Sequence, residues 1–358
     1  MKKISLNNRL LPVDIVLAPE WWAKHEKISF DEDFFYHPLK RVEVERTMEK
    51  VLYERWGQFG LGADHDKDLP QIGPVHLAAG YLISEMFGCQ VNYNASTPPQ
   101  VISADIDDIG QVDFDQPFLS AAYKRLITLI EALEAKYGYV VGDLNWSGVL
   151  NSAMDLRGQN LFMDMFDKPD EIEQFFCGIA NVIERFVVAI KSKTGSSSIA
   201  VNRNIRHISP AINLHSACSL TMISTDDYEK FLLATDIKWS QSLQPFGIHY
   251  CGNDPHRYAE SFAKIAQLDF LDLGWGGDVK LLRQYLPNTF LNIRLSPVEL
   301  IGQTATEISE IITSLVKASG NPALTGICCI NIDDKVTDEQ ISAIFDTVAN
   351  LRDEYSKK

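Results

Sequence analysis

The chain has 358 residues, 46% of them hydrophobic and 23% charged, a composition typical of soluble globular proteins. Its 33 Lys and Arg against 48 Asp and Glu give a net charge of −15, which repels phosphate backbones and anionic lipid, so we expect neither nucleic acid nor a membrane as a partner. No stretch approaches the roughly 18 uninterrupted apolar residues of a membrane span, and polar residues interrupt the N-terminal segment where a signal peptide would be apolar. We therefore expect a cytoplasmic protein whose six cysteines stay reduced and available for chemistry.

Helical and extended patterns alternate along the chain. Apolar residues at three- and four-residue spacing, with capping residues before them, predict helices at residues 39–58, 118–137, 169–191, 224–239, 255–267, 279–285, 297–303, 305–318 and 338–354. Short apolar runs bounded by Gly, Pro or Asn predict buried strands at residues 139–141, 199–201, 246–250, 270–273, 289–293 and 325–332. Brief buried strands that alternate with helices predict a parallel sheet.

A Gly-rich turn at residues 274–277 reads G-W-G-G and lacks the G-x-G-x-x-G spacing, which disfavours a dinucleotide-binding fold. We predict an α/β protein with a (β/α)8 TIM barrel. The prediction is one domain over residues 1–358, with 1–135 a mostly helical N-terminal elaboration and 136–358 most of the barrel. The chemistry of such barrels lies at the carboxyl ends of the strands.

The predicted strand ends carry a candidate metal site. His249 and Cys251 end one strand two positions apart, and residues i and i+2 of an extended strand point to the same face. The last predicted strand adds Cys328 and Cys329, of which the same alternation lets only one face inward. One His and two Cys form a soft donor set for Zn²⁺ that leaves a fourth position open, as in catalytic zinc sites. Because cysteine is commonly buried, a plain core role for these residues stays open at this point.

The remaining cysteines and one histidine carry weaker patterns. We expect Cys89, Cys177 and Cys218 to be core or helix-face residues, with Cys177 on an apolar helix side. His215 either lines the barrel mouth or satisfies a loop. The sequence alone therefore points to one site, built around residues 249–251.

Five segments follow one another in the order of the blocks of a known family. They are ISEMFGCQVNYNASTPPQV (83–101), LRGQNLFMDMFDKPDEIEQFF (156–176), ISTDDYEKFL (223–232), GIHYCGN (247–253) and LDLGWGGDVKLLRQYLPNTFLNIRLSPVELI (271–301). Through them nearly the whole chain resembles the uroporphyrinogen decarboxylase superfamily. Its H-x-C-G-N pattern with a distant cysteine resembles the zinc-dependent methyltransferases, which move a methyl group from a corrinoid protein to a thiol such as coenzyme M. The resemblance implies that His249, Cys251 and one of Cys328 or Cys329 bind zinc.

The chain also departs from these families. The decarboxylases carry an Arg-rich R-Q-A-G-R-Y element, whereas residues 19–26 here contain no arginine, so we do not expect decarboxylation of uroporphyrinogen. A Gly-Pro-Phe-Thr-like turn of the methyltransferases is replaced by Gly-Asp-Leu-Asn-Trp at residues 142–146. Asp272 lies close to the position of their site carboxylate but out of register. The acceptor pocket is therefore expected to be remodelled, and coenzyme M need not be the acceptor.

The implied reaction is a corrinoid-dependent methyl transfer. A thiol that enters the open zinc position is deprotonated by the charge of the metal and takes the methyl group of methylcobalamin, which a transient corrinoid protein partner delivers. The candidate catalytic residues are His249, Cys251 and Asp272, the last also as the fourth zinc ligand. A hydrogen-bond acceptor should position His249 from its other ring nitrogen, and the sequence does not identify it.

Three further residues are candidates for the cofactor cavity. Trp146 and Trp275 either wall the cavity or serve as packing, and Asn253 either orients the site or turns the chain. Two alternatives to the zinc enzyme stay open. One is a methylcorrinoid:tetrahydrofolate methyltransferase without zinc, and the other is a barrel without catalysis that serves as a partner of corrinoid proteins.

Overall fold

The structure, a computed structural model, describes residues 5–6, 10–63, 68–73, 80–141, 144, 147–195 and 207–357. The chain divides into two compact units, residues 1–21 with 202–358 and residues 22–201, which we describe separately. In the described residues, no helix combines the length and the apolar character that crossing a membrane requires. The arrangement as one domain over residues 1–358 stays a prediction.

The strands of the described residues are short. In chain order they are β1 (Ser5–Leu6), β2 (Val13–Leu17), β3 (Gln90–Asn94), β4 (Thr97–Ile102), β5 (Ile208–Ser209), β6 (Asn213–Ser216), β7 (Phe246–His249), β8 (Leu268–Leu273), β9 (Phe290–Arg294) and β10 (Thr325–Ile332). The α-helices are α1 (Pro19–Glu26), α2 (Glu32–Tyr36), α3 (Pro38–Trp56), α4 (Leu82–Met86), α5 (Ala121–Tyr137), α6 (Val149–Arg157), α7 (Asn160–Asp167), α8 (Pro169–Thr194), α9 (Thr225–Phe231), α10 (Leu233–Ser242), α11 (Ala259–Ala263), α12 (Val279–Tyr285), α13 (Pro297–Leu300), α14 (Ala305–Ser319) and α15 (Asp338–Ser356).

The first unit contains a parallel sheet with the strand order β2-β10-β9-β8-β7-β6. Strands that follow one another in sequence are neighbours, and the N-terminal β2 pairs with the C-terminal β10. Every residue of β2, β7 and β9 is buried, as expected where helices cover both faces of a parallel sheet. The structure therefore confirms the α/β class and a parallel sheet, and the closure of eight strands into a barrel stays a prediction.

Three helices of the first unit begin with a capping box, in which the N-cap hydroxyl and the N3 side chain exchange hydrogen bonds with the backbone. The N-cap and N3 pairs are Ser224 with Asp227 (α9), Thr304 with Glu307 (α14) and Thr337 with Gln340 (α15). These polar pairs directly precede apolar helical faces, which is why the sequence located the starts of α9, α14 and α15 to within one residue.

The second unit is mostly helical and includes the antiparallel hairpin β3–β4. Its longest helix, α8, has Pro169 in its first turn, followed by acidic residues, and ends at Gly195 with a positive φ of 78°. Phe175, Phe176 and Ile179 lie on its buried face. A parallel bridge joins Gln71 and Val141.

Several predicted elements differ from the structure. The predicted helix 224–239 is two helices, α9 and α10, because the backbone leaves helical geometry at Leu232. Residues 255–267 form a short 3₁₀ turn followed by α11, and α13 covers only the start of residues 297–303. At 139–141 the bridge at Val141 replaces a strand, and the predicted strand 199–201 lies outside the described residues.

Candidate metal centre

A row of polar residues crosses the parallel sheet near the carboxyl ends of its strands. The register pairs Ser216 of β6 with His249 of β7, and His249 with Asp272 of β8. Asp272 in turn pairs with Asn292 of β9. Neighbours in this register project to the same face of the sheet, so these side chains meet.

The row continues two residues further along β9. Arg294 lies on the same face as Asn292 because strand side chains alternate, and it pairs with Cys328 of β10. Cys328 also pairs with Asp14 of β2. The side chains of Arg294 and Cys328 are 5% and 2% exposed, so this polar face is shielded from bulk water.

Within the described part of the chain, one group of side chains could hold a metal ion. It consists of Cys218, His249 and Cys251. Their ligand atoms lie within 4.8 Å of one another, and the His249 Nε2 atom is 3.0 Å from the Cys251 Sγ atom. Cys251 lies two residues beyond the end of β7. Cys218 begins a short 3₁₀ segment after β6, where its Sγ atom lies 3.1 Å from the Ser216 hydroxyl oxygen.

The three donors fit a zinc ion. Zinc bonds of about 2.3 Å to sulfur and about 2.0 Å to nitrogen place tetrahedral ligand atoms roughly 3.5–3.8 Å apart, which the 4.8 Å limit and the His249–Cys251 contact accommodate with small adjustments. Two thiolates and one imidazole are also the soft donors that zinc prefers over hard oxygen ligands. With three protein ligands, a fourth position is open to a small molecule.

Asp272 holds the other side of the imidazole. Its Oδ2 atom is hydrogen-bonded to the His249 Nδ1 atom, and its Oδ1 atom accepts a hydrogen bond of 2.9 Å from the Asn292 Nδ2 atom. The Arg294 Nη2 atom lies 3.4 Å from the same carboxylate and 3.2 Å from the His249 Nδ1 atom. A carboxylate behind a metal-binding histidine fixes its tautomer and leaves Nε2 to face the metal.

Charges within the buried row shift the pKa values of its members. Burial lowers the pKa of His249, but the negative charges of Cys251 and Asp272 outweigh it and raise that pKa to about 9. Burial raises the pKa of Asp272, but the charges of His249 and Arg294 bring it below its usual value. Burial lowers the pKa of Arg294, but the charges of Asp272 and Cys251 outweigh burial and raise that pKa above its usual value.

The pKa values of the two cysteines of the cluster are shifted in opposite directions. The hydrogen bond from Cys218 lowers the pKa of Cys251 well below its usual value, against burial and with help from the charge of His249. Cys218 donates this hydrogen bond, and both the bond and the burial of its thiol raise its pKa well above the usual value. Of the two sulfurs, Cys251 is therefore the one that ionises more readily.

The adjacent cysteines of β10 point to opposite faces. The Cys328 Sγ atom lies 3.2 Å from the Asn292 Nδ2 atom and 3.9 Å from the Asp272 Oδ1 atom, on the polar face. The Cys329 Sγ atom lies 3.8 Å from the backbone oxygen of Leu295, and burial raises the pKa of this thiol to about 12. Over the described residues, neither sulfur belongs to the group of potential metal ligands around His249.

The other sequence candidates lie in the turns after the strands. Asn253 is exposed and Trp275 is half-buried. Trp146 lies outside the described residues. Cys89 is buried, as expected, but Cys177 is exposed on α8, because it falls on the side of the helix opposite the apolar residues around it.

Sequence reasoning missed Cys218, Asn292 and Arg294. Cys218 is expected from sequence in the core or on a helix face, and the polar residues of β6 before it give no strand pattern that would place it at the site. Asn292 and Arg294 stand two positions apart at the end of an apolar strand, the same alternation that located His249 and Cys251. That pattern could have identified them.

No protein-family model and no curated protein matches this chain in sequence. Among solved structures, it is similar to a methyltransferase from Methanosarcina mazei, with a TM-score of 0.65 and 15% sequence identity over 97% of this chain and 94% of that one. A second similar structure, described as a vitamin-B12-independent methionine synthase from Listeria monocytogenes, has a TM-score of 0.48 and 12% identity over 99% of both chains. At such identities, the likeness to the first structure concerns the fold alone.

Proposed function

We propose that the protein is a zinc-dependent methyltransferase that moves a methyl group from a methylated corrinoid protein to a thiol or a similar small acceptor. The observation that carries the proposal is the group of Cys218, His249 and Cys251 at the carboxyl ends of β6 and β7. The likeness in fold to a methyltransferase supports the reaction class. The resemblance of residues 247–253 to corrinoid-linked methyltransferases supports the methyl donor.

The three residues of the group would hold the metal. When bound, zinc supplies positive charge that lowers the pKa of a thiol entering the open position, so that the acceptor reacts as a thiolate at neutral pH. The negative charges of the Cys218 and Cys251 thiolates reduce the net charge at the centre and keep an entering sulfur electron-rich. This favours alkyl transfer over the activation of water.

The proposed reaction balances without a further reactant. The acceptor thiol loses its proton to solvent, and its sulfur attacks the methyl carbon of the corrinoid. The new sulfur–carbon bond replaces the cobalt–carbon bond, whose electron pair stays with the cobalt and reduces it from Co(III) to Co(I). The chain contributes orientation and exclusion of water, because Asp272 fixes the His249 ring and both side chains are buried.

Metal content and methyl transfer test the proposal together. Wild-type protein prepared anaerobically should contain or take up about one zinc per chain, and Cys251→Ser should lose it. Zinc-loaded protein should demethylate free methylcobalamin in the presence of thiols such as coenzyme M or homocysteine, followed by the change in corrinoid absorbance. Cys177→Ser is the matched control, since that thiol is exposed on α8.

Two results would contradict the proposal. One is wild-type protein that binds no zinc after anaerobic reconstitution. The other is metal-free protein that transfers methyl groups to tetrahydrofolate as fast as the zinc-loaded form, which would favour the alternative acceptor.

A further inference from the structure

We propose that Cys328 is a positioning residue and not a metal ligand. It ends a buried hydrogen-bonded chain that runs through Asn292 and Asp272 to the imidazole of His249. The second thiolate of the centre then comes from Cys218. This inference rests on the proposed metal centre, and it assigns Cys328 differently from the ligand set that the sequence resemblance implies.

The position of the sulfur supports this assignment. The Cys328 Sγ atom contacts the Asn292 Nδ2 and Asp272 Oδ1 atoms, at 3.2 and 3.9 Å. Asp272 is hydrogen-bonded to Nδ1 of His249, whereas Cys251 lies 3.0 Å from Nε2. Cys328 is therefore connected to the edge of the ring that faces away from the cluster.

The donors and acceptors along this series of hydrogen bonds match one another. The Asn292 amide has hydrogens for both the Asp272 Oδ1 atom and the Cys328 sulfur. The Cys328 thiol in turn donates to Oδ1, although sulfur is a weak donor. Asp272 is then held on one side by Asn292 and Cys328 and keeps Oδ2 for the Nδ1–H of His249. All of these side chains except His249 are at most 2% exposed, so water does not replace a lost partner.

Cys218 lies where a second ligand is needed. Its sulfur is in the group within 4.8 Å that includes the His249 and Cys251 ligand atoms, and it shares a hydrogen bond with Cys251. Cys218 is half-buried and stands in a 3₁₀ turn after β6, whereas Cys328 is fixed inside a strand. A turn can adjust to metal bond lengths more readily than a strand paired on both sides.

Cobalt(II) bound in place of zinc tests the assignment, because the near-ultraviolet charge-transfer absorption grows with each thiolate bound to cobalt. We expect Cys328→Ser to bind one cobalt per chain with the charge-transfer intensity of the wild type. We expect Cys218→Ser to lose about half of that intensity, since one of two thiolates is gone. The reverse outcome, with the loss in Cys328→Ser and none in Cys218→Ser, would overturn the inference. Cys177→Ser serves as the control for a cysteine outside the site.

The positioning role of Cys328 is tested by the metal affinity of further variants. A serine hydroxyl can donate to Asp272 as the thiol does, so Cys328→Ser should retain more metal affinity than Cys328→Ala, which should weaken binding by about 10–100-fold. Asn292→Ala interrupts the hydrogen bonds between Cys328 and Asp272 without removing a sulfur. It should weaken metal affinity similarly and leave the charge-transfer intensity unchanged. Wild-type affinity in both alanine variants would overturn the positioning role.

These measurements use cobalt alone and need no methyl donor. If cobalt binds as described and no methyl transfer follows, the proposed reaction is wrong and the assignment of Cys328 stands. A wild-type chain that binds neither zinc nor cobalt would overturn both. Circular dichroism of each variant shows that a lost metal is not a lost fold.

Discussion

His249 and Asp272 pair through the Nδ1 atom of the imidazole, on neighbouring strands whose register sets the two residues side by side. The sequence suggested Asp272 as a fourth zinc ligand. In the structure, its two oxygens are engaged by His249 and Asn292, and its contact is with the edge of the ring that faces away from Cys251. The carboxylate is therefore placed to orient His249.

Asp272→Asn should weaken zinc binding by about 10–100-fold, because a neutral amide holds the Nδ1–H of His249 less firmly and can turn its own N–H toward the ring. Competition with a chromophoric chelator measures the affinity. Asp269→Asn is a matched control on the same strand, since an amide oxygen can still accept the hydrogen bond from the Phe246 backbone N–H. Equal zinc affinity in Asp272→Asn and wild type would show that the pair does not support the metal.

Zinc binding should release about two protons per chain near pH 8. The imidazole of His249, with a pKa of about 9, and the thiol of Cys218, with its raised pKa, both carry a proton there, whereas Cys251 is already a thiolate. Since protons compete with the metal, the affinity near pH 8 should fall about 100-fold for each unit by which the pH is lowered.

Unshifted pKa values predict a number of released protons that changes with pH. With His at about 6.5 and both thiols at about 8.5, the number released would fall from nearly three at pH 6 to about one and a half at pH 8. Calorimetric titration in buffers of different ionisation enthalpy counts the protons. A count that declines with pH in this way would contradict the shifts in the buried row.

Strands β7 to β10 were predictable because nearly all of their residues are buried. Residues 325–332 form an unbroken run of apolar and small residues except for one asparagine, and the structure has a strand with these bounds. His249 and Cys251 could be paired from sequence because the relation between i and i+2 is local. The sequence thus located the part of the site that a single strand defines.

The rest of the site depends on contacts between strands. Cys218 joins the cluster only because β6 lies beside β7, and nothing within residues 213–218 specifies that register. Similarly, the choice between Cys328 and Cys329 required knowing that Asn292 and Asp272 share a face with Cys328. Alternation shows that two neighbours point apart, but only the packed sheet decides which of them faces the polar row.

Arg283→Met should lower the free energy of unfolding by roughly 3 kcal/mol while leaving zinc affinity unchanged. The guanidinium, on α12, donates hydrogen bonds of 2.8–2.9 Å to the backbone oxygens of Leu286, Thr289, Ser319 and Leu324. Thr289 and Leu324 directly precede β9 and β10, at the strand ends opposite the metal centre. The side chain therefore supports the fold and not the chemistry.

Urea denaturation of the variants measures this effect. Arg283→Lys keeps the charge, but its single ammonium cannot reach all four oxygens, so we expect an intermediate loss. Lys280→Met, an exposed change on the same helix, should stay within about 0.5 kcal/mol of wild type. A loss in Arg283→Met no larger than in Lys280→Met would show that the four hydrogen bonds add no stability.

Gly274→Ala should displace the turn that carries Cys251 and weaken both zinc binding and folding. A Cβ atom at residue 274 would lie 1.7 Å from the backbone oxygen of Gly252 and 2.9 Å from the carbonyl carbon of Cys251. Backbone on both sides must move, which costs about 1–3 kcal/mol or more. Because Cys251 is adjacent to the contact, the movement reaches this proposed metal ligand directly.

Gly302→Ala is the matched control, since an added Cβ there meets only the backbone oxygen of Glu299 at 3.8 Å, an ordinary contact. Thermal unfolding and chelator competition on both variants separate the two effects. We expect a lower melting temperature and weaker zinc binding in Gly274→Ala, and wild-type values in Gly302→Ala. If Gly274→Ala melts earlier but binds zinc like the wild type, the close approach supports the fold without holding Cys251, and the placement of that sulfur must come from β7 alone.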